Sequence, residues 1–300
     1  MKNELSILIP CYNCQCEKLV NALSVLLRKE EGRHGQEAFR YEIIVADDGS
    51  TDSASIEENR HINSLDNCRY IIREKNTGRS AIRNFLAREA KYKWLLFMDS
   101  DIAVHGDSFI TDYLSSEGDV IVGGIRTGGN PSLLKNNIRY KYERASEKCR
   151  TAERRNMKAH KEFRTTNFLI SGDIIKKFPF NENFVYYGYE DVLFGKTLHN
   201  NNIDIVHIDN PVILEEYEEN GVFISKTEEA LRTLHLFKDQ MQGYSTLLGC
   251  AGKINSYRLT TAVSLLYRLA GKSMKHNLSG KRPVLFLFNI YKLCYYISLK

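Results

Sequence analysis

Short apolar runs alternate with amphipathic stretches along the first half of the chain. Mostly apolar runs predict buried strands at residues 5–9, 41–46, 94–98 and 119–125, and β-branched residues are frequent in all of them except 94–98. Apolar side chains at helical spacing predict helices at residues 17–28 and 80–90. Strands that alternate with helices in this way are typical of an α/β fold on a mostly parallel open sheet, with helices on both faces.

The second half of the chain is more charged and less regular. We predict helical structure in the charged residues 135–164, mixed α/β structure across 165–209 and a short helix at 225–237. Three glycines between residues 241 and 253 coincide with a change in charge. These observations predict a sheet domain over residues 1–240 and a helical tail over residues 241–300.

The tail is the basic part of the protein. Residues 253–300 contain nine Lys or Arg and no Asp or Glu, whereas the first 252 residues carry 33 basic and 37 acidic side chains. Its apolar stretch at 284–299 is shorter than the roughly 20 residues that a membrane-spanning helix needs. With Leu265, Leu266 and Leu269 and the lysines around them, this stretch favours a helix lying on an anionic membrane surface. A helix packed on the rest of the protein is the alternative, and nucleic acid is disfavoured because no recognition motif accompanies the charge.

The cysteines and the N-terminus favour a cytoplasmic protein. Residues 1–13, MKNELSILIPCYN, contain no long apolar stretch of the kind that signal peptides carry. Seven cysteines, an odd number at irregular spacing, suit a reducing compartment. Cys11, Cys14 and Cys16 have the spacing CxxCxC, which leaves open a zinc site or thiols that bind no metal.

Two carboxylates follow the strand predicted at residues 94–98. Asp99 and Asp101 lie two residues apart at the end of this buried strand, where open α/β sheets bind their ligands. Both can face one divalent cation, which prefers oxygen ligands and can bridge a nucleotide diphosphate. A solvated turn is the alternative interpretation.

A second acidic turn follows the strand predicted at residues 41–46. A carboxylate at Asp48 can accept a hydrogen bond from a base or a ribose, while Gly49 lets the chain turn. The alternative is a turn followed by a helix N-cap, a role that suits Ser50 or Asp52.

Two arginines open the helix that follows the sequence NTG. Arg79 and Arg83 lie four residues apart, hence on one helix face, and Gly78 permits close approach of the backbone. Such a pair at a helix start suits a diphosphate, with solvated arginines as the alternative. The same choice, between a solvated helix face and a surface that faces an acceptor, applies to a later basic cluster at Arg154, Arg155, Lys158 and Lys161.

A further acidic pair opens a helix predicted to continue to about residue 200. Glu190 and Asp191 follow Tyr187, Gly188 and Tyr189, and acidic residues in a first turn often only interact with the helix dipole. The flanking aromatic residues suggest the wall of a substrate site. A carboxylate there could accept the proton of an attacking hydroxyl group.

The order of these motifs resembles glycosyltransferase family 2, whose fold is the GT-A fold of nucleotide-diphospho-sugar transferases. The resemblance extends over residues 4–235 and rests on SILIPCYN, IIVADDGSTD, NTGRSAIRN, WLLFMDSD and YYGYEDVLFGKTL. The segment NFLISGDIIKKFPFNENFVYYGYED is also similar to galactosyltransferase-type and chondroitin-polymerase-type C-terminal segments. The resemblance implies an inverting, metal-dependent transfer from a nucleotide sugar, usually a UDP-sugar, to an acceptor hydroxyl.

The resemblance also implies roles for individual residues. Nucleotide binding would involve Pro10, Tyr12, Asp48, Gly78, Arg83 and Asp99. Asp101, with Asp99, would bind Mn²⁺ or Mg²⁺. Asp191 would be the general base and Glu190 its neighbour. A histidine that completes the metal shell in similar sequences is replaced by Leu214, and His207 lies in a predicted strand, so the third protein ligand is open.

These inferences predict a cytoplasmic bacterial enzyme held on the inner face of the cell membrane. Its partners would be a nucleotide-sugar donor, a glycan or lipid-linked glycan acceptor in surface polysaccharide synthesis, and an anionic membrane surface. One rival is a sugar-phosphate nucleotidyltransferase, which would need a Gly-rich loop after the first strand, where CYNCQCEK has no glycine. The other is a non-catalytic nucleotide-sugar-binding or scaffold protein. A dinucleotide-dependent oxidoreductase is disfavoured because no GxGxxG follows the first strand.

Overall fold

The computed structural model describes residues 2–34 and 38–299. Its strands are β1 (Glu4–Cys11), β2 (Arg40–Asp47), β3 (Cys68–Ile72), β4 (Trp94–Met98), β5 (Ile102–Ala103), β6 (Val120–Val122), β7 (Ile125–Thr127), β8 (Asn167–Ser171), β9 (Val206–His207) and β10 (Val212–Leu214). Its α-helices are α1 (Glu17–His34), α2 (Ser53–Arg60), α3 (Arg79–Glu89), α4 (Phe109–Ser115), α5 (Pro131–Leu134), α6 (Ile138–Glu147), α7 (Ala152–Asn156), α8 (Gly172–Lys177), α9 (Glu190–Asn200), α10 (Asn220–Leu236), α11 (Thr246–Ser256), α12 (Thr260–Ser279) and α13 (Leu285–Ser298).

The central sheet is mostly parallel, as the strand and helix pattern predicts. Among the described residues, seven strands form it in the order β3-β2-β1-β4-β8-β6-β9. β8 runs antiparallel to both of its neighbours, and the remaining pairs are parallel. The sequence predicts only mixed α/β structure in this region, and an apolar run does not show the direction of a strand, so the sequence gives no sign of this reversal.

Helices cover both faces of the sheet. Alternate residues of a strand point to opposite faces, so each strand contributes apolar side chains to both. On β1, Leu5, Ile7 and Ile9 pack with α1, whereas Leu8 packs in a second cluster with residues of α3. All four side chains are fully buried. The predicted α/β arrangement with helices on both faces is therefore confirmed.

The strand predicted at residues 119–125 is broken by two glycines. β6 ends at Val122, and the chain then joins a second sheet in the order β5-β10-β7. A Cβ atom on Gly123 would lie 2.3 Å from the carbonyl oxygen of Asn210 and 2.4 Å from the hydroxyl of Tyr113. Gly124 adopts a φ of 96°, a left-handed conformation that favours glycine. Close packing thus requires glycine where the apolar pattern predicts a continuous strand.

The structure has helices in the charged region 135–164, as predicted, but they do not extend across all of it. The structure has the separate helices α6 and α7 in this region. Asn137 and Thr151 cap these helices by accepting hydrogen bonds from the backbone amides of Tyr140 and Arg154. Capping residues favour new helix starts, which divides the charged region into short segments.

The described chain forms two compact units. The first comprises the residues up to Gly128 together with Arg150–Val185 and Phe194–Glu215, and contains the central sheet. The second comprises Gly129–Cys149, Tyr186–Leu193 and the residues from Glu216 onward. The unit that contains residues 241–300 therefore also includes earlier segments of the chain.

The second unit is helical and has its own core. Ile138, Ile224, Met274, Leu278, Phe288 and Tyr291 form its buried cluster. Buried Glu228 of α10 accepts hydrogen bonds from Lys275 of α12 and from the hydroxyl of Tyr291 in α13. α13 is thus tied into the unit. Across the described residues, every helix is too short or too polar to cross a bilayer.

Candidate active site

The strand ends of the first unit bring most of the predicted nucleotide-binding residues to one edge of the sheet. Cys11 pairs with Asp47 and Leu8 with Phe97, so the parallel strands β1, β2 and β4 end at the same edge. Pro10 and Tyr12 lie at the end of β1, and Tyr12 is 48% exposed. Asp48 follows β2, and Asp99 follows β4.

Asn13 fastens the loop after β1 to the loop after β2. Its backbone amide donates to the hydroxyl of Ser50 at 2.7 Å, and its side-chain oxygen accepts from the backbone amides of Thr51 and Asp52 at 2.8 and 3.0 Å. The residue adopts a φ of 48°, which asparagine tolerates better than most residues. These contacts hold Tyr12 and the acidic turn in a fixed relation.

The thiols of the CxxCxC segment take part in a local hydrogen-bond network. Buried Asn59 accepts from the amide of Cys16 at 2.7 Å and donates to the carbonyl of Cys14 at 2.8 Å. Hydrogen bonds with Cys11 and Cys14, followed by burial, raise the pKa of the Cys16 thiol. Within residues 2–34 and 38–299, no group of three or more His, Cys, Asp or Glu side chains is arranged to hold a metal.

Asp48 organises the loop that precedes α3. One carboxylate oxygen accepts from the guanidinium of Arg73 and the hydroxyl of Thr77, at 2.9 and 3.0 Å. The other accepts from the backbone amides of Thr77 and Gly78, at 3.0 and 2.9 Å. Gly78 has a φ of 91° and is the N-cap of α3. A nucleotide that reaches Asp48 would therefore meet an already ordered carboxylate and loop.

Asp99 is held by an arginine from α3. The guanidinium of Arg83, 1% exposed, donates to a carboxylate oxygen of Asp99 at 2.9 Å. Burial would raise the pKa of Asp99. The positive charges of Arg83 and Arg79, with hydrogen bonds from Thr166 and Arg83, outweigh that effect and lower its pKa. Asp99 is therefore ionised at neutral pH, and Arg83 forms an ion pair with it.

Asp101 differs from Asp99 in being exposed. Mg²⁺ and similar hard cations are commonly bound through one or two carboxylates together with the phosphates of a substrate. An accessible carboxylate two residues beyond an ionised one fits such a site. The residues present therefore suit a divalent cation whose ligands are these carboxylates together with the oxygens of a bound diphosphate.

Neither position 214 nor His207 supplies a third protein ligand. Leu214 is buried in β10. The Nδ1 atom of His207 lies 2.8 Å from the guanidinium of Arg155, and its Nε2 atom lies 2.9 Å from the carbonyl oxygen of Ala159. Burial lowers the pKa of His207 to about 4, an effect that the charge of Arg155 reinforces and a hydrogen bond to Ala159 opposes. A neutral histidine that accepts from Arg155 and donates to Ala159 has no nitrogen left for a metal.

Glu190 and Asp191 lie in the second unit, where α9 begins. The preceding segment is fastened to α10, because the amide of Tyr187 donates to Glu229 at 3.1 Å and its carbonyl accepts from Thr233 at 3.0 Å. Glu190 is buried, whereas Asp191 is partly exposed. Of the two carboxylates, Asp191 is the more accessible to a substrate.

The backbone before Glu190 is strained. Gly188 and Tyr189 have φ values of 96° and 68°, and a Cβ atom on Gly188 would lie 2.7 Å from the Cβ of Ala230. Positive φ is unusual for a bulky residue and clusters at functional sites. Burial, followed by the neighbouring Tyr142 and Asp191, raises the pKa of the Tyr189 phenol, which stays protonated. A rigid aromatic segment therefore leads into the two carboxylates.

Residues 6–178 match the family described as glycosyl transferase family 2. The chain belongs to this family. The matched range includes every strand-end motif of the first unit described above. The α9 carboxylates lie beyond the matched range.

Two curated relatives are chondroitin synthases. The protein from Escherichia coli is 39% identical over 102 residues, which is 33% of this family 2 chain and 13% of that protein. The protein from Pasteurella multocida (strain Pm70) is 27% identical over 233 residues, 65% of this chain and 23% of that protein. The chain thus spans less than a quarter of the length of either relative.

Solved structures of similar fold are GT-A glycosyltransferases. S. aureus TarS 1-349 matches with a TM-score of 0.50 and 18% identity, over 99% of this chain and 90% of that one. Mannosyltransferase PcManGT from Pyrobaculum calidifontis, solved with GDP-Man and Mn²⁺, matches with a TM-score of 0.58 and 11% identity, over 99% and 85%. The expected GT-A fold is therefore confirmed.

Several residues that shape the site have no clear signal in the sequence. Asn59 and Thr166 lie in unremarkable segments, yet Asn59 holds the loop after β1 and Thr166 hydrogen-bonds to Asp99. Arg155 is one of four basic residues whose role the sequence leaves open between a solvated helix face and a surface that faces an acceptor. Its neighbours Arg154, Lys158 and Lys161 are exposed, whereas Arg155 is buried. Only tertiary structure separates it from them.

Proposed function

We propose that the protein is an inverting glycosyltransferase that moves a sugar from a UDP-sugar to an acceptor hydroxyl, in surface polysaccharide or other glycan synthesis. The observation that carries this proposal is the pairing of Asp99, kept ionised by arginines, with exposed Asp101 at the carboxyl edge of the sheet. Such a pair suits a metal-bound nucleotide diphosphate. Membership of family 2 supports it.

The reaction is a single displacement at the anomeric carbon. The acceptor oxygen forms a bond to that carbon from the face opposite the nucleotide, and the bond to the diphosphate oxygen breaks. Asp191 takes the proton of the acceptor hydroxyl, and buried Glu190 orients substrate hydroxyls beside it. The nucleotide leaves as the diphosphate, with inverted configuration in the product.

The first-unit residues bind and orient the donor. Asp48 accepts a hydrogen bond from the base in exchange for one of its four present donors. Pro10 and Tyr12 flank the base, and Gly78 lets the α3 backbone approach. Arg83 keeps Asp99 ionised near the ribose and the diphosphate. Asp101, with Asp99, would hold Mn²⁺ or Mg²⁺, and the bound cation would neutralise charge on the departing diphosphate. PcManGT, which has a similar fold, was solved with GDP-Man and Mn²⁺, and this supports the choice of metal.

Calorimetry of UDP binding tests the donor site. We expect wild type to bind UDP in the presence of Mn²⁺, and Asp101→Ala to bind it at least about ten-fold more weakly, because a charge-assisted contact is lost. Asp107→Ala is the matched control, since Asp107 is exposed and pairs with Lys29 on the surface. Absence of UDP binding by wild type, with or without metal, would contradict the assignment of a uridine nucleotide.

We also propose that the protein works at the cytoplasmic, inner face of a bacterial cell membrane, bound to anionic lipid. Leu265, Leu266 and Leu269 of α12 are 51%, 44% and 79% exposed, and Arg268 and Lys272 lie among and beside them. The absence of acidic residues after residue 252 gives this helix face a positive field. A lipid-linked glycan acceptor suits such a location. Seven cysteines, an odd number at irregular spacing, also favour the reducing cytoplasm.

Vesicle cosedimentation tests the membrane proposal. Wild type should bind vesicles that contain phosphatidylglycerol several-fold more than vesicles of phosphatidylcholine alone, because the attraction is electrostatic. The double variant Leu265→Asp, Leu269→Asp should lose most of this binding. Leu236→Asp, at a 66% exposed leucine of α10, should keep it. Equal binding by the double variant and wild type would refute a role for the α12 face.

A further inference from the structure

A small cavity in the first unit is lined by arginines. Its wall includes Arg150, Arg155 and Arg164, with Glu162 as the acidic member. The wall therefore carries an excess of positive charge. The cavity volume of about 20 Å³ slightly exceeds what one water molecule needs, which admits the tip of a polar group but not a sugar ring.

Arg155 places a buried positive charge in the cavity wall, where uncharged groups accept its hydrogen bonds. Its five N–H groups donate to the carbonyl oxygens of Arg150, Val122, Gly123 and Ile208 and to Nδ1 of His207, at 2.8–3.2 Å. Burial lowers the pKa of Arg155, but its ordinary value is so high that the group stays charged. These five hydrogen-bond partners are uncharged. The carboxylates of Asp209 and Glu162 also act on Arg155, but the three arginines of the wall outnumber them, so the cavity keeps a positive field.

The cavity adjoins the carboxylate pair of the candidate active site. Thr166 lines the cavity, its carbonyl oxygen accepts from the amide of Asp99 at 3.0 Å, and its side chain hydrogen-bonds to Asp99. Asn167 lines it as well and begins β8, which pairs with β4. A group bound in the cavity would therefore lie next to the residue assigned to the nucleotide.

We propose that this cavity is an oxyanion subsite that binds a carboxylate or phosphate group of the sugar substrate. Partly exposed Arg150 and Arg164 supply hydrogen bonds to it, because a guanidinium matches both oxyanions in geometry. Arg155 supplies the fixed charge behind them. The assignment to a sugar substrate rests on the proposed function, and the anionic group belongs to either the acceptor or the donor sugar.

Matched acidic and neutral probes test the subsite by calorimetry with Mn²⁺ present. For the donor, UDP-glucuronate is compared with UDP-glucose. For the acceptor, a glucuronate-terminated disaccharide is compared with a glucose-terminated one, each added to the complex with UDP. We expect one acidic probe to bind at least about ten-fold more tightly than its neutral counterpart, since hydrogen bonds to a charged group contribute strongly.

The variants Arg150→Gln and Arg164→Gln should remove this preference, while Arg154→Gln, at an exposed neighbour outside the cavity, should keep it. The pair of probes that shows the preference identifies the substrate that carries the anion. Equal affinity for both members of each pair in wild type, or a preference that survives both variants, would overturn the subsite.

Two further readouts separate the subsite from the proposed function. UDP with Mn²⁺ should bind equally to wild type and to the cavity variants, so loss of UDP binding in wild type counts against the proposed function alone. Inorganic phosphate, titrated without nucleotide, reports on the cavity directly. Phosphate binding that Arg164→Gln weakens would support the subsite even if UDP does not bind.

Discussion

Replacing Asp191 by Asn will lower the turnover number about 100- to 10,000-fold, the range that a positioned general base contributes. Asparagine has nearly the same shape but cannot accept the proton of the acceptor hydroxyl. Asp191 lies in the second unit, whereas the nucleotide-binding residues lie in the first. Calorimetric affinity for UDP with Mn²⁺ should therefore stay within about two-fold of wild type, so that the loss appears in turnover of a UDP-sugar and not in binding.

Two companion variants make the Asp191 result specific. Glu216→Gln removes an exposed carboxylate from the same unit and should leave turnover unchanged. Glu190→Gln asks whether the buried neighbour is the base. Full activity of Asp191→Asn would favour a non-catalytic nucleotide-sugar-binding or scaffold protein if Glu190→Gln is also unaffected. If only Glu190→Gln is inactive, the base is Glu190 and the assignment of Asp191 is wrong.

Much of the sheet could be predicted because buried strands leave a direct signal. The run at residues 94–98 coincides with β4, and those at 5–9 and 41–46 lie within β1 and β2. The features that the sequence did not predict depend on contacts between residues that are distant in sequence. The break after β6 follows from the carbonyl of Asn210, and the reversal of β8 follows from its pairing with β4 and β6.

In the candidate site, too, the sequence predicts which residues take part but not which contacts they make. The spacing of carboxylates after strands identifies Asp48, Asp99 and Asp101, because ligand sites collect at strand ends. It does not reveal that Asp48 already accepts four hydrogen bonds, or that Arg83 is buried against Asp99. Such partners meet only through the packing of α3 on the sheet. The sequence therefore predicts where the chemistry lies better than how each group is held.

Replacing Arg83 by Met will destabilise the protein by about 3 kcal/mol at pH 7, because removal of one partner leaves a buried charge uncompensated. The loss should depend on pH. In wild type the pKa of Asp99 is lowered, so its ionisation contributes stability that is present above its unfolded pKa of about 4 and is lost as the pH falls through the folded pKa. Without Arg83, burial acts to raise the pKa of Asp99, and the variant gains stability relative to wild type as Asp99 becomes protonated. Urea unfolding at pH 7 and pH 4.5 should therefore show a smaller deficit at the lower pH.

The control for this substitution lies on the same helix. Arg88 is 64% exposed in its side chain and lies 4.0 Å from Glu182, so Arg88→Met should cost less than about 1 kcal/mol at either pH. The guanidinium of Arg83 also lies 5.8 Å from the centre of the Phe180 ring, and loss of that packing would destabilise the protein equally at both pH values. A deficit that does not change between pH 7 and pH 4.5 would therefore mean that Arg83 stabilises the fold by packing and not by its charge. A deficit that shrinks would show that α3 keeps Asp99 ionised, the state that a metal-bound diphosphate requires.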